Sequence, residues 1–174
     1  MTSNLDSIIC DAVDAMADEL LAVSHAIHQK PELAFKEYFA CETLTNALSE
    51  HEMNPEVGIF TLPTAFEATL NADSDGPVVA ILAEYDALPK IGHSCGHNLI
   101  ATSALGAALA LQKIADQLPG KIRLIGTPAE EKGGGKEIMA RAGAFEGVDA
   151  AMMIHPAGVN IATMPCICVS EVEV

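Results

Sequence analysis

The 174 residues are enough for one ordinary domain with a core of its own. Half of them are hydrophobic but only 4% are aromatic, so that core must be built from aliphatic side chains and alanine. The 24 acidic residues outnumber the 9 basic ones for a net charge of −15, which argues against a nucleic-acid or anionic-membrane binder, since both need basic patches.

Mean hydropathy is +0.29, yet the longest apolar run, residues 99–111, is too short to span a bilayer and contains Thr102 and Ser103. The first 20 residues carry Asp6, Asp11, Asp14, Asp18 and Glu19 and no lysine or arginine, which is not a secretory signal. Five cysteines without framework spacing fit a reducing compartment. The expected address is the cytoplasm.

In chain order, residues 3–30 place Leu5, Ile8, Ile9, Ala12, Val13, Met16, Leu20, Val23 and Ile27 at helical spacing, and Pro31 stops the run. This predicts one long helix. His25 and His28 share a face of it but have no third ligand type nearby, so surface or capping roles are expected for them. A second amphipathic helix is predicted over 37–50, with Phe39, Leu44 and Leu48 inward. Three strands follow, over 57–60, 65–70 and 78–83. The first two have hairpin spacing, and the third is uninterrupted and apolar like a buried interior strand.

Residues 99–118 read as a long helix whose small side chains permit close packing, ended by Pro119-Gly120. A strand over 121–126, a helix over 137–142 capped by Gly143, and a strand over 149–154 complete a β-α-β-α-β order. That order predicts an α/β fold with a parallel sheet covered by helices on both faces. Residues 166–174 alternate like a further strand.

The chemistry gathers where the predicted strands end. The stretch 80–98, AILAEYDALPKIGHSCGHN, runs from an apolar strand into a loop holding Asp86 and then Cys95-Gly96-His97, a thiol and an imidazole two residues apart on a glycine-flanked turn. Gly126-Thr127-Pro128-Ala129-Glu130-Glu131 follows the second apolar run, and His155 follows the third. Open parallel sheets carry their sites at the carboxyl ends of the strands, so these three ends are expected to converge. Taken singly, each residue also has an ordinary reading. Cys95 could be a small core residue, Asp86 a turn residue, His155 a packed strand-end histidine, and Glu130 and Glu131 acids at a helix start. Asp86 could instead orient a ligand histidine through the ring nitrogen that faces away from a metal. Gly133-Gly134-Gly135 lacks the frame of a phosphate loop and reads as backbone freedom beside the site.

The joint set HQKPELAFKE (28–37), EYDALP (84–89), GHSCGHN (92–98), GTPAEEKGGGK (126–136) and IHP (154–156) resembles the aminoacylase/carboxypeptidase family of dinuclear metallopeptidases. Within it, the chain is most similar to the amidohydrolase branch and its β-alanyl-lysine-type dipeptidases; Asn98, where much of that branch has aspartate, matches the dipeptidase-like members. The resemblance implies a three-layer α/β/α domain of zinc-exopeptidase type with a mostly parallel mixed sheet. It is incomplete at its C-terminal end, with residues 1–165 as the N-terminal portion of the catalytic domain and 166–174 leading toward a lid and dimerisation domain.

The same resemblance implies two divalent metal ions, with zinc favoured and manganese, cobalt or nickel chemically possible. Cys95 would bridge the ions, His97 and His155 would bind one of them and Glu131 the other. Glu130 would be the general base, and His93 a spare with a supporting role. The implied reaction is hydrolysis of the amide bond of a small dipeptide or N-acyl amino acid, and full-length relatives are expected to be homodimers. The family pattern adds one more histidine far downstream, and no histidine follows His155 here. A second class of function therefore stays open: a catalytically incomplete metal-binding or interaction remnant. Cys166 and Cys168 share a strand face without a further ligand-type partner and are expected to be structural.

Overall fold

The computed structural model describes residues 2–161, so the expectations for Cys166, Cys168 and the strand over 166–174 lie outside the described residues. Among the described residues, five helices and five strands follow in the order α1 (Thr2–Ala15), α2 (Ala17–Gln29), α3 (Tyr38–Glu50), β1 (Glu56–Val57), β2 (Phe66–Leu70), β3 (Val78–Ala83), α4 (His97–Gln112), β4 (Lys121–Gly126), α5 (Gly135–Arg141) and β5 (Ala150–Met152). A 3-10 turn over Ala115–Gln117 sits between α4 and β4.

The strands form one mixed sheet in the order β1-β2-β4-β3-β5. β3 runs parallel to both β4 and β5, whereas β2 is antiparallel to β1 and to β4. Side chains alternate across a strand, and the core divides accordingly. Ile81 and Leu124, directly paired, face a large cluster with Ile27, Leu44, Leu48, Leu105 and Leu109 from the N-terminal helices and α4. Their neighbours Ala80 and Ile125 face a smaller cluster with Leu62, Met139 and Ala144 beneath α5. The result is the three-layer α/β/α arrangement, with the carboxyl ends of β3 and β4 side by side at Ala83 and Gly126.

Several boundaries differ from the sequence expectation. The helix predicted over 3–30 is two helices, broken at Met16, which is itself buried. Both halves pack on α4, and docking against that helix decides the break because the apolar period runs through it unchanged. The strand predicted over 57–60 stops at Val57, since Gly58 adopts a φ of +75° and Phe60 and Thr61 also have positive φ, all outside the extended region. Helix α4 begins at His97, two residues earlier than expected, and ends at Gln112 rather than 118. β5 ends at Met152, so His155 lies three residues beyond the strand. No helix among the described residues is long and apolar enough to cross a membrane.

Candidate active site

Past Ala83 the chain stays extended and buried through Glu84, Tyr85, Asp86 and Ala87. Alternation sends Tyr85 away from the two acids. Its hydroxyl donates to the Thr64 carbonyl oxygen at 2.6 Å and its ring stacks on Phe66, which anchors the segment. Glu84 and Asp86 share the other side and meet the start of α4.

That start is set by Gly96, whose φ of +84° is the left-handed conformation that closes the turn before the helix. It fixes His97 as the first helical residue with its ring fully buried. His97 Nδ1 donates to Asp86 Oδ1 at 3.1 Å, and the second Asp86 oxygen accepts the backbone N–H of Glu131 at 2.9 Å. One carboxylate thus fixes the imidazole's orientation and ties it to the loop after β4. Burial alone would raise the Asp86 pKa, but these bonds and the His97 charge outweigh it and hold the carboxyl below its ordinary value.

The loop after β4 is held at both ends. The Thr127 backbone and hydroxyl both bond the Ala83 carbonyl, and the Ala129 N–H donates to Glu37 Oε1 at 2.9 Å. Glu130 and Glu131 follow in irregular structure rather than at a helix start, because α5 begins only at Gly135. Their side chains face the same imidazole: Glu130 Oε2 and Glu131 Oε1 each lie 3.7 Å from His97 Nε2. His155 arrives from beyond β5. Its Nε2 is 3.8 Å from Cys95 Sγ, its Nδ1 donates to the Pro156 carbonyl at 2.8 Å, and its ring meets that of His97 edge to face.

All six residues singled out in the sequence therefore come together. Two further acids escaped notice there. Glu84 is buried with Oε2 only 3.4 Å from His97 Nε2, while its other oxygen is paired with Lys136. The signal was present as the i, i+2 spacing of Glu84 and Asp86 just past a strand. Glu37 had no local signal, because its partners Ala129 and Thr64 are distant in sequence. His93 is buried beside His28 and belongs to no ligand-type group among the described residues.

With Nδ1 donating to Asp86, the neutral His97 ring presents a lone pair at Nε2. That nitrogen has no hydrogen-bond partner, and neither do the buried oxygens Glu84 Oε2 and Glu131 Oε1. Acceptors turned toward one another in a dry site repel unless a cation or a proton lies between them. Cys95, His97 and His155 offer donor atoms all within 4.8 Å of one another, as do Glu84, His97 and Glu130. Thiolate, imidazole and carboxylate form the donor set of a borderline divalent ion, so the residues present fit a metal. Burial opposes the His97 charge, yet Asp86, Glu84 and Glu131 outweigh it and raise the pKa above the ordinary value. Burial and the nearby Glu131 push the Cys95 thiol up to about 11. Burial and the Glu84 charge likewise raise Glu130, against the pull of Lys136 and His97.

Beside Glu131 opens a cleft of about 590 Å³, walled by Leu33, Phe35, Leu88, Pro89 and Lys132 among others.

This arrangement has counterparts among known proteins. The chain is 43% identical over 179 residues to the Xaa-Arg dipeptidase of Mus musculus, a match that covers 94% of this chain and 41% of that protein. It is 34% identical to the N-acetyl-L-cysteine deacetylase of Bacillus subtilis strain 168, covering 82% of this chain and 37% of that one. The chain thus spans about two-fifths of the length of these relatives. Among solved structures, a dinuclear metal-binding peptidase from the M20 family of Bacillus subtilis superposes with a TM-score of 0.72 at 31% identity, covering 79% of this chain and 42% of that one. The model of peptidase family M20/M25/M40 matches residues 80–170, more than half of the chain and the stretch that holds Glu84, Asp86, Cys95, His97, Glu130, Glu131 and His155. The chain belongs to that family.

Proposed function

We propose that this chain carries the metal-binding portion of a hydrolase that cleaves the amide bond of small dipeptides or N-acyl amino acids at a dinuclear site, with residues 1–165 as the N-terminal part of the catalytic domain. The observation that supports it best is the set of unpartnered buried acceptors around His97 Nε2, which a divalent ion would satisfy, in the region the family model matches. The names of the relatives, a dipeptidase and a deacetylase, support the substrate class.

In this reading Cys95, His97 and His155 would hold one divalent ion, and Cys95 and Glu131 would contribute to a second. Zinc suits the donors best. Such ions, when bound, polarise an amide carbonyl and make water a better nucleophile at neutral pH. The remaining chemistry belongs to the chain's own groups. Asp86 keeps His97 in the tautomer that offers Nε2 to the ion. Glu130, whose side chain is 41% exposed at the mouth of the site, receives the proton of the attacking water on its carboxylate and returns it to the leaving amine. The neighbouring cleft takes the apolar part of the substrate.

The test is calorimetric titration of the 174-residue chain with zinc, together with hydrolysis of a panel of small dipeptides and N-acyl amino acids. Binding is expected, and Cys95→Ser and His97→Ala should each abolish it. Glu130→Gln should keep the metal and lose turnover. A chain that binds no divalent ion overturns the proposal, and bound metal with no turnover on any substrate confines this chain to metal binding.

A further inference from the structure

Glu84 has no part in the ligand set or the base assignment above, yet its environment is difficult to explain without one. The side chain is 2% exposed, about as buried as the His97 ring it faces. Oε1 is paired with Lys136, whose own side chain reaches solvent. Oε2 has no partner and lies 3.4 Å from His97 Nε2 and 4.0 Å from His155 Nε2. An isolated buried carboxylate oxygen costs free energy, and facing it with a lone pair rather than an N–H costs more. With Nδ1 committed to Asp86, a lone pair is what His97 presents.

The spacing is also that of two donors on one ion. With zinc bonds to nitrogen and oxygen of about 2.0–2.2 Å, neighbouring donors of a tetrahedron stand roughly 3.3–3.6 Å apart. Glu84 Oε2, at 3.4 Å, lies closer to His97 Nε2 than the carboxylate oxygens of Glu130 and Glu131, each at 3.7 Å. Lys136 offsets one unit of a charge that would otherwise be excessive beside Glu130 and Glu131. It also holds the carboxylate so that only Oε2 is turned to the imidazoles.

Resting on the metal-site reading above, we propose that Glu84 Oε2 is a protein donor to the divalent ion seated on His97 Nε2, with Lys136 as the counter-ion that aims it.

Cobalt(II) is the probe, because its visible spectrum reports its donors and its titration gives an affinity whether or not the chain turns over substrate. The wild-type chain should show a thiolate-to-cobalt charge-transfer band from Cys95; a chain without that band refutes the site itself and Glu84 with it. Glu84→Gln should keep the band, change the ligand-field bands, and weaken cobalt by at least the roughly 10-fold that loss of a mere orienting partner can cause. An unchanged spectrum and affinity in that variant, with the thiolate band intact, overturns Glu84 alone. Lys136→Met separates ligation from a structural ion pair and decides the matter if Glu84→Gln does not fold. Without the counter-ion that aims Oε2, Lys136→Met should alter both the ligand-field bands and the cobalt affinity, whereas wild-type bands and affinity in that variant refute the proposal.

Discussion

Glu37 is the perturbation with the widest consequences. The side chain is fully buried at the entry to α3. Oε1 accepts the N–H of Phe35 at 2.8 Å and of Ala129 at 2.9 Å, while Oε2 accepts the Thr64 hydroxyl at 3.0 Å. Phe35 and Ala129 both sit at positive φ, 65° and 61°, where residues other than glycine are uncommon, so these bonds hold conformations the backbone does not favour unaided. Glu37→Met leaves the buried Ala129 N–H and the partly buried Phe35 N–H unsatisfied, at about 1–3 kcal/mol for the first and less for the second. Relief from burying a carboxylate offsets part of that, since burial is the largest influence on this group and raises its pKa despite the bonds it accepts. The expected net loss is about 2–5 kcal/mol, a large share of a stability of about 5–15 kcal/mol. In urea this lowers the unfolding midpoint by about 1 M or more. Glu37→Gln keeps an acceptor for both N–H groups and offers its amide to Thr64, so it should stay within about 1 kcal/mol of wild type. The pH dependence provides a second check. A folded pKa above the unfolded one means the folded chain binds more protons between the two values. The stability this group contributes is then greatest below the unfolded pKa and declines as pH rises through the folded one; Glu37→Gln lacks that slope. Urea midpoints measured from about pH 4 to 7 read both effects. If Glu37→Met unfolds at the wild-type midpoint, or Glu37→Gln is as damaged as Glu37→Met, the argument fails.

Other perturbations bear on the metal site. Gly96→Ala would place a methyl 2.8 Å from Pro156 Cγ at a φ of +84°, straining the turn by about 1–3 kcal/mol and pushing His155 away from Cys95; zinc calorimetry should show weakened binding, and wild-type affinity would refute the contact. Chelation should lower the melting temperature: an ion at about 100 times its Kd contributes about 2.7 kcal/mol, or roughly 5–10 °C for a chain of this size. A melting curve unmoved by chelator and by added zinc counts against any bound ion. Because the Cys95 thiol sits near 11 and His97 above its ordinary value, a metal must displace protons from both, so affinity should rise with pH through neutrality and binding should release protons. Zinc titrations in two buffers of different ionisation enthalpy measure that release, and no release would show that these groups are not ligands.

Local chemistry wrote much of this protein legibly. The strands over 78–83 and 121–126 were readable to the residue because the first is an uninterrupted apolar run and the second, with Ile122, Leu124 and Ile125, follows the turn-forming Pro119-Gly120 and ends at Gly126. Cys95, His97, Asp86, Glu130, Glu131 and His155 were legible as candidates because each stands just past such a strand and belongs to a distinctive motif. The break at Met16 was not legible. Its apolar period is continuous, and only packing on α4 decides that the run becomes two helices. The shift of α4 to begin at His97 depends on the left-handed Gly96, a choice fixed by the turn rather than by the helix's own residues.

The sequence by itself determined the α/β class, the strand ends that carry the site, and the kinds of donor atom available, because periodicity, turn residues and ligand chemistry are local properties. Only the tertiary structure decided that Glu84 joins the site and that Glu37 supports it. Each depends on which oxygen faces which nitrogen across segments far apart in the chain: Glu84 on His97 and Lys136, Glu37 on Phe35, Thr64 and Ala129. Unsatisfied acceptors become visible only when the fold has removed the water that would otherwise satisfy them.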